Sequence, residues 1–243
     1  MSIRSRRLGD HVAVVTIDRP ERRNALDTAH AEALLAAVAD AGDSGARALV
    51  LAGAGGHFCA GADLTAVPEE RFLATLHRLL HTLVTLPVPV VAGVEGVALG
   101  AGMQLAVACD LRVAAPDSRF GVPAVKLGLM LDHWSVQRIA LLAGHGPARA
   151  ILLAGDEVDG AAALRLGLAQ RAGGVDDAVA WAHHIATLAP LTVSGHKLAL
   201  NRLEPAPADH DVDEARRRAW ASADLSEGIA AFADRRPPSF EGR

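Results

Sequence analysis

The N-terminal half of the chain alternates between strand-like and helix-like segments, and this alternation limits the fold more than any other feature. Val12–Asp18 is rich in β-branched residues, Thr28–Ala41 has the apolar spacing of a helix, and Ala46–Ala52 is a second strand candidate. A predicted helix over Pro68–Leu86 and a predicted strand over Pro89–Val94 continue the order. A strand, a crossover helix and a second strand pair in parallel, so the chain is predicted to have an α/β fold.

Beyond Val94 the pattern changes. Gly96–Gly102 is a small-residue turn, followed by a short buried helix over Met103–Ala108 and a strand over Leu111–Ala114. From Gly144 onward the chain is predicted to be almost wholly helical, with a Pro-rich boundary at Glu204–Ala208. The helix candidates are Pro147–Leu153, Ala161–Leu166, Asp176–Leu188, Val193–Asn201 and Asp211–Ala223.

The composition excludes several classes of protein. With 243 residues, 51% of them hydrophobic, the chain is long enough to bury a sizeable core. Its net charge is −4 and no block of Lys or Arg is present, which argues against nucleic-acid binding. Its apolar runs are too short for a membrane span, and the strand-like start does not resemble a signal peptide, so we expect a soluble, cytoplasmic protein.

Searches for metal, cofactor and nucleophile motifs give little. Cys59 and Cys109 form no CxxC pair and are predicted to be buried. His77 and His81 have helical spacing, but no Glu lies between them, so a solvated helix face is the preferred interpretation over a metal site. The chain also lacks GxGxxG, GxxxxGK[ST] and GxSxG motifs. We therefore expect no metal and no resident cofactor.

Two glycine-rich turns remain as candidates for chemistry. Ala60–Asp63 and Gly100–Gly102 each follow a predicted strand and each precedes a predicted helix. Such turns present backbone N–H groups that favour an oxyanion. By spacing alone, however, a purely structural turn is the preferred interpretation of either segment.

Several motifs, in order along most of the chain, resemble the signature of the enoyl-CoA hydratase/isomerase (crotonase) superfamily. The resemblance implies a crotonase (ClpP/crotonase-like) spiral of ββα units over residues 1–190 and a helical C-terminal region over 191–243 that packs across subunits of a homotrimer or a dimer of trimers. The motifs are Arg23–Leu26, Phe58–Leu64, Pro89–Gly102, Cys109–Arg112, Arg119–Pro123 and Lys126–Gly128, with later matches at Gln137–Arg138, Ala161–Leu168 and Phe232–Phe240.

The resemblance also implies a ligand, an acyl thioester of coenzyme A, whose carbonyl oxygen is held by the backbone amides of Ala62 and Ala101. The family usually has glycine at the second of these positions, but the donor belongs to the main chain, so alanine can serve. Arg235 and Arg236 are candidates for contacts with the phosphates of a coenzyme A bound by a neighbouring subunit, although solvated surface charges are the preferred interpretation. Residues implied to lie near the substrate are Asn24, Ala60, Gly61, Asp63, Leu64, Gly100, Ala124, His133 and Trp134.

The chain departs from the hydratases of that family at their two catalytic glutamates, where it has Gln104 and Ala124. Neither an amide nor a methyl group supplies a titrating proton, so ordinary hydration is not expected. In this respect the chain resembles an actinobacterial subgroup that lacks both glutamates and binds fatty acyl-CoA.

Asp132 is the remaining candidate for acid–base or nucleophilic chemistry, because an aspartate serves as base or nucleophile at the matching position in some relatives. The alternative is that Asp132 caps the helix that follows it. Two rival functions stay open at this stage, namely an enoyl- or dienoyl-CoA isomerase that uses Asp132 and a scaffold that has lost its ligand.

Overall fold

A parallel sheet forms the centre of the computed structural model, which describes residues 2–9, 11–64, 70–202, 217 and 220–239. The strands are β1 (Ile3–Leu8), β2 (Val12–Ile17), β3 (Ala48–Gly53), β4 (Val90–Val94), β5 (Val97–Leu99), β6 (Leu111–Ala114), β7 (Arg119–Gly121), β8 (Glu157–Asp159) and β9 (Arg171–Ala172). The helices are α1 (Thr28–Asp43), α2 (Glu70–Thr85), α3 (Ala101–Ala108), α4 (His133–Ala143), α5 (His145–Arg149), α6 (Gly160–Leu166), α7 (Val175–Ala186), α8 (Pro190–Asn201) and α9 (Ala223–Asp234).

The main sheet has the strand order β1-β2-β3-β4-β6-β9, in which β1 is antiparallel to β2 and the other neighbours are parallel. Every residue of β3 and β4 is buried, as expected where helices cover both faces of a sheet. Because side chains alternate between the faces of a strand, Val12 and Val14 pack with α7, whereas Ala13 and Val15 pack in the larger core with α1, α2 and α3.

A smaller sheet, ordered β5-β7-β8, carries the second glycine-rich turn at the end of β5. The segment that follows β3 reaches this sheet through a parallel bridge between Cys59 and Ala98. The amide of Leu99 also donates to the carbonyl of Cys59 at 3.0 Å. The small sheet therefore places the second glycine-rich turn beside the first.

The Cys109–Arg112 motif is structural. Arg112 is 1% exposed, and its guanidinium donates to the carbonyls of Ala106 (3.1 Å), Cys109 (2.7 Å) and Leu168 (2.5 Å). Its side chain thus satisfies carbonyl groups at the C-terminal end of α3. Burial lowers the pKa of Arg112 to about 10, so the group still carries its charge at neutral pH.

The predicted strands and helices of the core are confirmed to within two residues at most ends, but the predictions missed β1, β5, β7, β8 and β9. Strand β1 is a largely exposed edge strand and has no apolar alternation. The other missed strands have two or three residues, too few to show a period. The prediction that the chain is almost wholly helical from Gly144 onward was therefore wrong at β8 and β9.

The C-terminal helices pack on this core. Lys197 of α8 donates to the carbonyls of Leu83 and Val88 and forms an ion pair with Asp110 at 2.7 Å. The predicted boundary at Glu204–Ala208, and all but five residues of the predicted helix over 211–223, lie outside the described residues. No helix in the described part of the chain has both the length and the hydropathy that crossing a membrane requires.

Candidate functional site

A cavity of about 510 Å³ lies where the two glycine-rich turns meet α2, the loop before α4, and Trp220. Most of its wall is apolar, as in ligand-binding clefts of this size. The lining residues are Ala60, Gly61, Ala62, Leu64, Glu70, Phe72, Leu73, Ala74, Leu76, His77, Leu80, Gly100, Ala101, Gln104, Pro123, Ala124, Leu127, Leu129, Met130, Leu131, Asp132, His133, Trp134 and Trp220.

The first turn presents the amide of Ala62 to this cavity. Ala62 forms a single parallel bridge with Leu26, in which Leu26 N–H donates to the Gly61 carbonyl and Asp63 N–H donates to the Leu26 carbonyl. In such a bridge the peptide groups on either side of the central residue make the bonds, so the Ala62 N–H points away from Leu26. Among the described residues it has no acceptor.

The second turn presents the amide of Ala101, the first residue of α3. The first hydrogen bond of this helix runs from Gln104 N–H to the Gly100 carbonyl, so the Ala101 N–H has no partner within the helix. Gly100 has φ 54° and ψ −116°, a conformation that requires glycine and that turns the chain sharply from β5 into α3.

The two turns lie in contact with each other. A Cβ atom added to Gly61 would lie 3.6 Å from the Ala101 nitrogen and 2.8 Å from the Leu99 oxygen. A Cβ atom on Gly102 would lie 2.0 Å from the Cys59 oxygen. Glycine at these positions allows the backbones to approach closely, which brings the Ala62 and Ala101 amides to one end of the same cavity.

A polar cluster of Gln104, Asp132 and Ser135 lies beside these amides. Gln104 Nε2 donates to Asp132 Oδ2 at 3.0 Å and to Ser135 Oγ at 2.8 Å. Ser135 Oγ donates to Asp132 Oδ2 at 2.8 Å, and Ser135 N–H donates to Asp132 Oδ1 at 3.0 Å. Asp132 is therefore the N-cap of α4 and a residue of the cavity wall, so its two alternative interpretations are compatible in geometry.

The remaining wall near this cluster is formed by Ala124, His133 and Trp134. Ala124 contributes only a methyl group. His133 Nδ1 is buried, and within the described part of the chain it has no hydrogen-bond partner. The described residues contain no group of three or more His, Cys, Asp or Glu side chains that could hold a metal ion.

Two residues expected near the ligand do not line the cavity. Asn24 is fully buried, and its Nδ2 donates to the carbonyls of Ala54 (2.9 Å) and His57 (2.5 Å). The Asp63 carboxylate forms an ion pair with Arg19 at 2.9 Å. The expectation for both side chains is corrected, because they fasten the first turn from outside the cavity.

The sequence predictions expected the helix over Glu69–Leu86 to set the depth of the pocket, but they named few individual residues of the apolar wall. The residues of this wall come from one face of α2 and from the loop between Gly128 and Asp132, and Trp220 comes from the C-terminal region. The strong amphipathic pattern of α2 was the available signal for its part of the wall. His77, predicted to lie on a solvated face, is exposed but also lines the cavity.

Cys59 lies next to the first turn but is not a nucleophile. Both cysteines are fully buried, and burial raises the pKa of the Cys59 and Cys109 thiols to about 12. Both therefore remain protonated at neutral pH, in agreement with the prediction that they are small buried apolar residues.

Comparisons with known proteins match this geometry to one family. The sequence profile of the enoyl-CoA hydratase/isomerase family matches residues 7–243. A probable enoyl-CoA hydratase echA6 of Mycobacterium tuberculosis (strain CDC 1551 / Oshkosh) is 46% identical over 240 residues, which cover 95% of this chain and 96% of that protein.

Solved structures match over the whole chain. An enoyl-CoA hydratase/carnithine racemase from Magnetospirillum magneticum has a TM-score of 0.77 and 32% identity, and the match covers 100% of this chain and 96% of that one. A methylmalonyl-CoA decarboxylase in complex with 2-nitronate-propionyl-CoA has a TM-score of 0.91, with coverage of 100% and 99%. At 24% identity, this second likeness concerns the fold alone.

Proposed function

The chain belongs to the enoyl-CoA hydratase/isomerase family, and from this premise we propose that it binds a fatty-acyl thioester of coenzyme A without ordinary hydratase chemistry. Membership of the family and the predicted crotonase fold are both confirmed. The ligand is a substrate or a cargo rather than a resident cofactor.

One observation carries the proposal, namely that the amides of Ala62 and Ala101, which have no acceptor among the described residues, lie on contacting turns and line one apolar cavity. A thioester carbonyl oxygen placed between them would accept both hydrogen bonds, and its acyl chain would lie against the apolar wall. Fixed donors of this kind stabilise an oxyanion strongly, because they require no reorganisation when charge develops. The cavity wall around these two amides also includes four neighbouring residues, namely Ala60, Gly61, Leu64 and Gly100.

The polar cluster supports binding over hydration. Each general acid or base increases the reaction rate by about 10²- to 10⁴-fold. The two positions that hold these groups in hydratases are Gln104 and Ala124 here, so both contributions are missing. Gln104 cannot activate water as a base, because its amide does not titrate in the accessible range and its nitrogen is bonded to Asp132 and Ser135.

Asp132 lines the cavity, which keeps the isomerase as a second candidate. Its Oδ2 accepts from Gln104 and Ser135, whereas its Oδ1 accepts, among the described residues, only from Ser135 N–H. Oδ1 therefore keeps a lone pair that could accept a substrate proton without loss of the hydrogen bonds at Oδ2.

Other features of the family remain proposals for this chain. We propose a cytoplasmic role in fatty-acid metabolism and a homotrimer or dimer of trimers, with residues 191–243 packing between subunits. A contact of Arg236 with coenzyme A phosphates would have to compete with Glu227, which Arg236 binds through two hydrogen bonds of 2.6 and 2.9 Å. Arg235 is the better candidate, since among the described residues its side chain has no ion pair, whereas Arg236 is paired with Glu227.

Calorimetric titration with palmitoyl-CoA, together with turnover assays on crotonyl-CoA and on longer 2-enoyl and 3-enoyl thioesters, tests the proposal. We expect saturable binding and no hydration above background. Turnover that persists in the wild type and is lost in Asp132→Asn, which keeps an acceptor for the cap, would support the isomerase instead. Absence of both heat and thermal stabilisation well above about 100 μM ligand would leave only the scaffold.

A further inference from the structure

The C-terminal region contributes a large side chain to the cavity. Trp220 is half-buried, lines the cavity and donates from Nε1 to the carbonyl oxygen of Met130 at 2.9 Å. Met130 belongs to the loop between Gly128 and Asp132, which forms part of the apolar wall. The indole is thus attached to the wall by its single polar atom, which leaves the rest of the ring as apolar surface.

Helix α9 and the residues before that loop are locked together by backbone contacts. Gly128 has φ +69°, and a Cβ atom added to it would lie 2.7 Å from the backbone of Asp224. A Cβ atom on Gly228 would lie 2.5 Å from the Leu127 carbonyl. These contacts leave no room for a side chain, so the start of α9 holds a fixed position against the loop that Trp220 also contacts.

From these contacts we propose that Trp220 determines the length of acyl chain that the cavity accepts. Its ring fills space along the apolar wall that a longer chain would otherwise occupy. The polar end of the cavity, at Ala62 and Ala101, is formed by other segments, so Trp220 acts on the chain and not on the thioester. The inference rests on the proposed function and specifies its ligand.

The physical basis is the burial of methylene groups. Each methylene removed from water strengthens binding by about fourfold, as long as the cavity can enclose it. Affinity therefore rises with chain length up to a limit, beyond which a further methylene stays in water or displaces the wall. Replacing an indole by a methyl group moves that limit to longer chains, whereas general damage to the fold lowers affinity at every length.

The test is a calorimetric titration of saturated acyl-CoAs from butyryl to eicosanoyl against four proteins. These are the wild type, Trp220→Ala, Trp220→Phe and the matched control Trp181→Ala, whose ring lies on α7 against Arg171 and does not line the cavity. Circular dichroism checks that each variant is folded. Trp220→Phe keeps an aromatic wall and serves if Trp220→Ala does not fold.

We expect the chain length of tightest binding to increase by two or more carbons in Trp220→Ala, with at least a tenfold gain for the first chain that the wild type rejects. Trp220→Phe should show a smaller shift and Trp181→Ala none. An unchanged limit in folded Trp220 variants, or a uniform loss at all lengths, would overturn the inference alone. A wild type that binds no acyl-CoA would instead contradict the proposed function, and the inference with it.

Discussion

Ala62 and Ala101 contribute main-chain groups, and this explains why the sequence indicates them well. The position and direction of a backbone N–H group depend on where the chain turns, and glycine residues indicate both turns in the sequence. The side chains of Asn24 and Asp63 belong to the same motifs, yet they point into the protein towards Ala54, His57 and Arg19. A motif locates a turn along the chain, but the direction of each side chain depends on partners that are distant in sequence.

Replacing Ala101 by proline removes one proposed donor and puts the ring Cδ atom where the amide hydrogen was. The first position of a helix tolerates proline, and the N–H there has no partner in the helix. A typical net hydrogen bond contributes about 1 kcal/mol and Cδ also crowds the carbonyl oxygen, so Ala101→Pro should weaken binding of an acyl-CoA thioester by about tenfold or more.

The matched ligand for this test is a thioether analogue of the same acyl-CoA, which has no carbonyl oxygen. Its affinity, measured by calorimetry, should fall less than that of the thioester on going from the wild type to Ala101→Pro. An equal loss of affinity for thioester and thioether would mean that the substitution has disturbed the cavity, and that the Ala101 amide is not a donor to the ligand.

At the scale of elements, the long strands and helices follow from periodicity, whereas the short elements do not. The two- and three-residue strands β5, β7, β8 and β9 form because neighbouring segments meet there. The loop between Gly128 and Asp132 similarly owes its place in the wall to α9, far away in the sequence. Contacts of this kind leave no local pattern, so this part of the site could not be predicted.

The start of α4 gives a prediction at this scale. Removing the cap in Asp132→Ala should lower the free energy of unfolding by about 1 kcal/mol and also release the Gln104 amide. Asp132→Asn, which keeps an oxygen for Ser135 N–H, should cost less. Urea denaturation measures both variants, and an unchanged stability of Asp132→Ala would contradict a capping role.

At the scale of the whole molecule, the cavity combines segments from most of the chain, from Ala60 to Trp220. The family resemblance allowed its polar end to be predicted, since the motifs that form this end are short and continuous. The apolar wall depends on how α2, the loop before α4 and the C-terminal region pack together. Only the packed chain defines which side chains form that surface, so the sequence indicated the helix α2 but not its individual lining residues.

The packing of α8 on the core can be tested at Lys197. This side chain is 6% exposed and is paired with Asp110, which also accepts from Val90 N–H. Lys197→Met leaves a partly buried carboxylate without its cation and should lower the free energy of unfolding by about 3 kcal/mol. Chemical denaturation measures the loss, with Arg78→Met as the control, because Arg78 is exposed and has no ion pair among the described residues; this variant should change stability by less than about 0.5 kcal/mol.

If Lys197→Met unfolds at the wild-type denaturant midpoint, the ion pair does not hold α8 to the core. The double variant Lys197→Met with Asp110→Asn should recover part of the loss, because it removes the uncompensated charge. Such recovery would separate the cost of the unpaired carboxylate from the cost of lost packing.

The bond between Gln104 and Asp132 also bears on how this chain could acquire a water-activating group. A glutamate at position 104 would bring its carboxylate to about the 3.0 Å that now separates the amide nitrogen from Asp132 Oδ2. Two negative charges at that distance repel, so the gain would be opposed until the second acid was lost or protonated. The effect of a glutamate at position 104 therefore depends on the residue at position 132. This dependence constrains the order of substitutions by which the chain could acquire hydratase activity.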